Sequence, residues 1–263
     1  MKQLTVIRTD KWLEKAYQKP DEIFKKLSSY FDNADEKDVA MYLTQHGMYY
    51  KPVRNGEALV ESLRKKNVWG IVQQEEEKLS KLWKGNNIPI FIFPSNTYNR
   101  QIMEQYNGRS GLSFRDKLFL FISDINSEDE IRALFTHEYN HCCRLAHNPK
   151  DEKDYSLLDV IVLEGMAEQA VNERYGKELQ APWTQYYTQE EAEKIWKSIV
   201  QPNADLPKSS RRVTEILYGK KLFPHMAGYC VGYYLVNRYC QQTGKESKDL
   251  LSIPSEKIAF IEK

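Results

Sequence analysis

The 263-residue chain is notable first for what it lacks, which excludes several classes of protein. No apolar run approaches the roughly 20 residues of a transmembrane helix. The first residues of the chain also lack the apolar stretch of a signal peptide. Because 38 basic side chains nearly balance 37 acidic ones, the net charge is +1, and no broad basic field favours nucleic acid. We therefore expect neither a membrane span nor a nucleic-acid partner.

Cysteine is also scarce. The four cysteines are Cys142, Cys143, Cys230 and Cys240, and they show no CxxC spacing. Adjacent cysteines rarely form a disulfide with each other. We interpret all four as buried thiols and expect the protein to be cytoplasmic.

Periodicity and stop signals predict an α+β fold that is mostly helical. Residues 1–86 have helical patterns, and the Trp69-Gly70 pair is a candidate break in the long stretch 57–83. Residues 88–93 and 117–123 are short apolar runs typical of strands, with turn-forming residues between them at 107–111. Three later helices are predicted to open with capping boxes, and a fourth near Pro224. We expect a helical N-terminal region over 1–86 and a second domain over 87–263, with a small mixed sheet packed on the helix discussed next.

The motif that carries chemistry is His137-Glu138-Tyr139-Asn140-His141, an HExxH sequence inside a predicted helix. Residues four apart lie about 40° apart around a helix and about 6 Å apart along it, so both imidazoles can reach one ion. Neutral imidazole suits zinc, and Glu138 can take a proton from a metal-bound water. The pattern predicts one Zn²⁺ per chain, bound by His137 and His141, with Glu138 as the base.

A catalytic zinc needs a third ligand, and two candidates compete. Glu164 lies in EGMAE on the next predicted helix, and a His₂Glu site is a standard catalytic arrangement. Glu168 lies one turn further on, and we expect it to orient a ligand histidine by accepting the second N–H of that imidazole. The alternative is His147. To bring it to the metal, the chain would have to turn off the helix after His141, and that turn needs a glycine where this sequence has Arg144. If the helix continues, His147 faces about 240° away from His141. We favour Glu164.

These segments resemble a known family. HEYNH followed by EGMAE is similar to the gluzincin group of zinc peptidases, and LFTHEYNHCCRL, LLDVIVLEGMAE and AGYCVGYYLV resemble the bacterial YjaZ-like family of predicted Zn-dependent proteases. The resemblance covers about residues 88–245 and implies a zincin-like fold. It also implies that His137, His141 and Glu164 are metal ligands, that Glu138 is base and acid, and that a strand bordering the site binds substrate. Residues 107–112 or 117–123 are candidates for that strand.

A helix beginning near Pro224 would place His225 and Tyr229 on one face. Either could donate to the oxyanion formed in peptide hydrolysis, although both could equally be packing residues. Gly228 and Gly232 form a neighbouring stripe that permits close helix approach, which we expect against a helix of the metal site.

The sequence as a whole predicts a zinc metallopeptidase that hydrolyses peptide bonds in a peptide or protein substrate. Two alternatives stay open: a zinc hydrolase of another amide, and a non-catalytic binding or regulatory module that retains a zinc site.

Overall fold

A computed structural model of the chain describes residues 5–32 and 34–260. The fold is α+β and mostly helical, with one small mixed sheet, which confirms the predicted class. The chain forms two compact units. One contains the residues up to Lys81 together with Asn86–Tyr139, and the other contains Leu82–Gly85 and the residues from Asn140 onward.

The N-terminal half of the described chain contains six α-helices and the sheet. The helices are α1 (Thr9–Ala16), α2 (Pro20–Ser28), α3 (Glu36–Gln45), α4 (Gly56–Lys65), α5 (Val68–Trp83) and α6 (Arg100–Gln105). The strands are β1 (Ile90–Pro94), β2 (Ser110–Ser113) and β3 (Leu118–Ile122).

The sheet has the order β1-β3-β2, so β3 is central and β2 forms an edge. β1 pairs with β3 in parallel, with Ile90 opposite Leu118, and β2 pairs with β3 antiparallel, with Leu112 opposite Phe119. Every residue of β1 and β3 is buried, as their continuous apolar runs predicted. All four residues of β2 are half-buried, which leaves this strand accessible from one side.

Of two local predictions for this half, one was right in part and one was wrong. The region 107–111 was interpreted as a turn and 107–112 also as a candidate strand; the turn is confined to Asn107 and Gly108, which have positive φ, and β2 starts at Ser110. The helical stretch 57–83 was expected to break at Trp69-Gly70. It breaks instead at Asn67, whose φ is 55°, because asparagine tolerates the left-handed conformation better than most residues.

The C-terminal half is helical. It contains α7 (Glu128–His147), α8 (Leu157–Tyr175), α9 (Gln189–Ile195), α10 (Arg211–Tyr218), α11 (Ala227–Thr243), α12 (Ser247–Leu250) and α13 (Ser255–Ala259). The boundary between the two units falls within α7. All three predicted capping boxes form, at the starts of α7, α8 and α9. No helix in the described part of the chain is long and apolar enough to cross a membrane.

Helices α8 and α11 cross with their backbones in close contact. A Cβ atom at Gly165 would lie 2.5 Å from the carbonyl carbon of Gly232 and 2.8 Å from the backbone nitrogen of Tyr233. One at Gly232 would lie 2.7 Å from the carbonyl carbon of Ile161. The expected close approach of the glycine stripe to a helix of the candidate site is therefore confirmed. The crossing lies next to Glu164.

A buried polar network joins α7 and α8 to the C-terminal segment. The Arg144 guanidinium donates to the carbonyl oxygens of Leu250, Leu251 and Ile253 at 2.7–3.0 Å. It therefore donates to backbone groups at and just after the end of α12, of which the Leu250 carbonyl oxygen also accepts from the Ile253 N–H at 2.9 Å.

Asp159 is a second centre of this network. Its carboxylate accepts hydrogen bonds from Lys150, Ser156 and Ser255 at 2.5–3.0 Å. Burial alone raises the pKa of Asp159, but these hydrogen bonds outweigh burial and hold the pKa below its ordinary value.

Candidate metal centre

Helix α7 presents both histidines of the HExxH motif. The capping box between Ser127 and Glu130 starts the helix, in which Ser127 Oγ accepts from the Glu130 N–H at 3.2 Å. The helix then continues without a break through the motif to His147. His137 is half-buried and His141 is buried. Because they are four residues apart on one continuous helix, their imidazoles lie one turn apart.

Glu164 supplies the third donor atom from α8. Its Oε1 lies 3.7 Å from His141 Nε2. One donor atom each from His137, His141 and Glu164 lie within 4.8 Å of one another, and no other such group occurs among the residues that the structure describes. These are the three residues that the sequence favoured as ligands.

The donor set fits a zinc ion. Zinc–ligand distances of about 2.0–2.2 Å in tetrahedral geometry require donors about 3.4 Å apart. The separation of 3.7 Å between His141 and Glu164 is close to that value. The upper limit of 4.8 Å requires movements of about an ångström, which side-chain rotation provides.

His147, the competing third ligand, points elsewhere. Its Nε2 lies 3.0 Å from the carbonyl oxygen of Trp83, and it is absent from the donor group. The reason is the one anticipated from the sequence: Arg144 lets α7 continue past His141, so His147 is rotated away from the motif histidines.

Glu138 is buried against strand β2. The Ser113 hydroxyl lies 2.5 Å from Glu138 Oε2 and 2.8 Å from the Glu138 carbonyl oxygen, so its one proton is shared between two acceptors. A Cβ atom at Gly111 would lie 2.5 Å from Glu138 Oε1. Residues 107–112 were one candidate for a strand bordering the site, but the contacts of Gly111 and Ser113 with Glu138 were not predicted, because neither residue lies in a motif.

Glu168 is also buried, one turn beyond Glu164. Its Oε2 accepts from the Ala181 N–H at 2.8 Å, and its carbonyl oxygen accepts from Gln180 Nε2 at 2.9 Å. These hydrogen bonds hold the segment after α8 against Glu168. That Glu168 orients a ligand histidine stays a prediction.

His225 and Tyr229, the predicted donors to the oxyanion, do not lie on the same helix. α11 begins at Ala227, after Met226 with φ of 53°, so the expected helix start near Pro224 was wrong. His225 therefore precedes the helix, where it is exposed and stacked on Tyr186 at 5.5 Å. Tyr229 is half-buried on α11, and its hydroxyl lies 3.2 Å from that of Tyr218. The oxyanion role of either residue stays a prediction.

Comparison with known proteins is consistent with these features. A family model described as "Predicted Zn-dependent protease (DUF2268)" matches residues 68–260. A protein of Bacillus subtilis (strain 168), named "Uncharacterized protein YjaZ", is 38% identical over 256 residues, which covers 96% of this chain and 97% of the relative. No solved structure matches the chain. On these two matches, the chain belongs to the YjaZ-like family of predicted Zn-dependent proteases.

Proposed function

We propose that this protein is a zinc-dependent metallopeptidase with one Zn²⁺ per chain, bound by His137, His141 and Glu164. The observation that carries the proposal is the convergence of two imidazoles and one carboxylate, with separations up to 4.8 Å, next to a buried glutamate. Three protein ligands leave one coordination position for a reactant, which is typical of catalytic rather than structural zinc. The family description supports the same class of reaction.

Zinc, when bound, would act as a Lewis acid that polarises a substrate carbonyl and lowers the pKa of water. Glu138 would accept the proton of the attacking water and pass it to the leaving amine. Tyr229 and His225 remain the candidates for a donor to the oxyanion, and Glu168 for the orientation of a ligand histidine.

The peptide substrate would bind along the edge of β2. Of the two segments considered from the sequence, 117–123 contains β3, whose two edges already pair with β1 and β2. β2 pairs on one side only among residues 5–32 and 34–260. An extended peptide can add to such an edge through main-chain hydrogen bonds. Because Gly111 and Ser113 contact Glu138, a peptide on this edge would lie beside the proposed base.

Hydrolysis of labelled casein and of a mixed peptide library tests this function. We expect the zinc-loaded protein to cleave at least one of them, a chelator to stop cleavage, and added Zn²⁺ to restore it. Glu138→Gln keeps the size of the side chain but removes the base, so it should bind zinc normally and lose cleavage by a factor of about 100 or more.

Two outcomes would favour the alternatives. Release of a small amide product without peptide cleavage would favour a zinc hydrolase of another amide. A biological role that survives Glu138→Gln with zinc retained would favour a binding or regulatory module. The cytoplasmic location expected from the sequence stays a prediction.

A further inference from the structure

The side chain of Ser113 and the bare backbone of Gly111 both face Glu138. These residues are two apart on β2, so they lie on the same face of the strand. The Ser113 hydroxyl is within hydrogen-bond distance of both a side-chain and a main-chain oxygen of Glu138, at 2.5 and 2.8 Å. Any side chain at Gly111 would overlap the Glu138 carboxylate. One residue therefore binds the carboxylate, and the other leaves room for it.

A second set of contacts, between the segment before β2 and the start of α7, sets the direction in which the strand runs along the helix. Arg109 forms an ion pair with Glu130, and Asn107 Nδ2 donates to the same carboxylate at 2.7 Å. The four residue steps from Arg109 to Ser113 span about 13 Å of extended chain. The eight residue steps from Glu130 to Glu138 span about 12 Å of helix. Strand and helix therefore run side by side with matched lengths, which brings Ser113 to Glu138.

The Ser113 hydroxyl restricts the conformation of the Glu138 side chain. Glu138 is 8% exposed, and a glutamate side chain has three rotatable bonds whose alternative rotamers would point the carboxylate elsewhere. A hydrogen bond to an ionised carboxylate is among the stronger polar contacts. Since the same hydroxyl also reaches the Glu138 main chain, it ties the carboxylate to the helix backbone.

We propose that Ser113 is a positioning residue that holds the Glu138 carboxylate toward the His137/His141/Glu164 group, in the space left by Gly111. This inference rests on the proposed metallopeptidase function and assigns that function a residue outside the metal ligands and the base. It predicts that the hydroxyl of residue 113, rather than its size, determines how well Glu138 accepts a hydrogen bond from a ligand at the metal.

Binding of acetohydroxamate to the Co²⁺-loaded protein, followed in the visible spectrum, tests this without any substrate. A hydroxamate chelates the metal and offers hydrogen-bond donors to a carboxylate beside it. We expect Ser113→Ala to weaken its binding about 10-fold, the effect of losing a hydrogen bond to a charged group. Ser113→Thr, which keeps the hydroxyl and suits a strand, should stay within about 2-fold of the wild type.

Ser110→Ala is the matched control. Ser110 lies on the same strand but donates to the His46 carbonyl oxygen at 2.9 Å, so its loss should leave acetohydroxamate binding unchanged. In the Glu138→Gln background, Ser113→Ala should cause no further loss, because a residue that acts through Glu138 has no independent effect. If Ser113→Ala does not fold, Ser113→Cys, with its weak donor, replaces it.

The following results distinguish a failure of this inference from a failure of the proposed function. A Co²⁺-loaded Ser113→Ala protein that binds acetohydroxamate as tightly as the wild type would overturn the positioning role alone. A full additional loss in the Glu138→Gln background would overturn it as well. A wild-type protein that takes up neither Co²⁺ nor Zn²⁺ would overturn the proposed function, and with it the inference.

Discussion

The crossing of α8 and α11 gives the sharpest prediction about how the fold supports the site. Gly232→Ala would place a methyl group 2.7 Å from the carbonyl carbon of Ile161, whereas carbon atoms in good contact lie about 3.5–4.0 Å apart. The obstacle is backbone, which no side-chain rotation can relieve. The two helices must therefore separate by about 1 Å, and Glu164 moves with α8.

The expected change in the free energy of unfolding of Gly232→Ala results from two opposing effects. Overpacking of this kind costs about 1–3 kcal/mol, and a clash with backbone belongs at the upper end. Alanine in a helix interior recovers about 1 kcal/mol relative to glycine. We expect a net loss of about 2 kcal/mol in the free energy of unfolding. Since the Glu164 oxygen shifts by a large part of a metal–ligand bond length, zinc affinity should fall on the order of 10-fold, as when a supporting residue of a metal site is lost.

Urea denaturation of the metal-free protein and zinc competition with a chromophoric chelator measure these two quantities. Gly244→Ala is the matched control, because Gly244 ends the same helix with φ of 67° and has nothing within 4 Å of an added Cβ. Alanine there costs about 1–2 kcal/mol of backbone strain without touching α8. Gly244→Ala should therefore be destabilised but keep its zinc affinity.

Wild-type zinc affinity in Gly232→Ala, together with unfolding at the wild-type urea concentration, would contradict this prediction. An equally strong loss of zinc affinity in Gly244→Ala would also contradict it, because the loss would then follow stability rather than the position of Glu164.

Three further predictions concern side chains around the site. Arg144→Leu should lower the free energy of unfolding by about 2–3 kcal/mol in urea denaturation, because the carbonyl groups of Leu250, Leu251 and Ile253 lose the hydrogen bonds of the guanidinium; an unchanged midpoint would contradict this. Asp159→Asn should cost about 1–2 kcal/mol at pH 7 through its helix cap. Because the pKa of Asp159 is lowered in the fold, its stabilisation is present above the unfolded pKa of about 3.9 and is lost as pH falls through the folded pKa. The cost of Asp159→Asn should therefore shrink below about pH 4, and a cost that persists there would contradict the sign. Arg109→Gln should cost no more than about 1 kcal/mol but should speed amide hydrogen exchange in β2, because it removes the ion pair with Glu130; unchanged exchange would show that the pair does not hold the strand.

Much of this fold could be predicted because its signals are local. Capping boxes depend on residues three apart, and all three formed as predicted. The buried strands β1 and β3 are continuous apolar runs. The grouping of Glu164 with the motif histidines followed from donor chemistry and spacing, since Arg144 lets α7 continue and turns His147 away.

The parts that were missed depend on contacts between distant residues. The sequence of β2, Ser-Gly-Leu-Ser, has no strand periodicity, so only the family resemblance indicated a strand over 107–112, and β2 forms by pairing with β3. The pairing in turn aligns Ser113 with Glu138, 25 residues later in the chain, so no local pattern could indicate this contact. The start of α11 was misplaced for a smaller reason. Pro224 is a common first residue of a helix, but the left-handed conformation of Met226 delays the start and leaves His225 outside it.

Bound zinc per chain tests the central claim most directly. It would be measured in the wild type, Glu164→Ala and His147→Ala, each purified without added metal. The account predicts about one zinc in the wild type and in His147→Ala, and a clear loss in Glu164→Ala. Zinc retained in Glu164→Ala but lost in His147→Ala would contradict the proposed ligands, and a wild-type protein that binds no zinc even after reconstitution would contradict the metal centre itself.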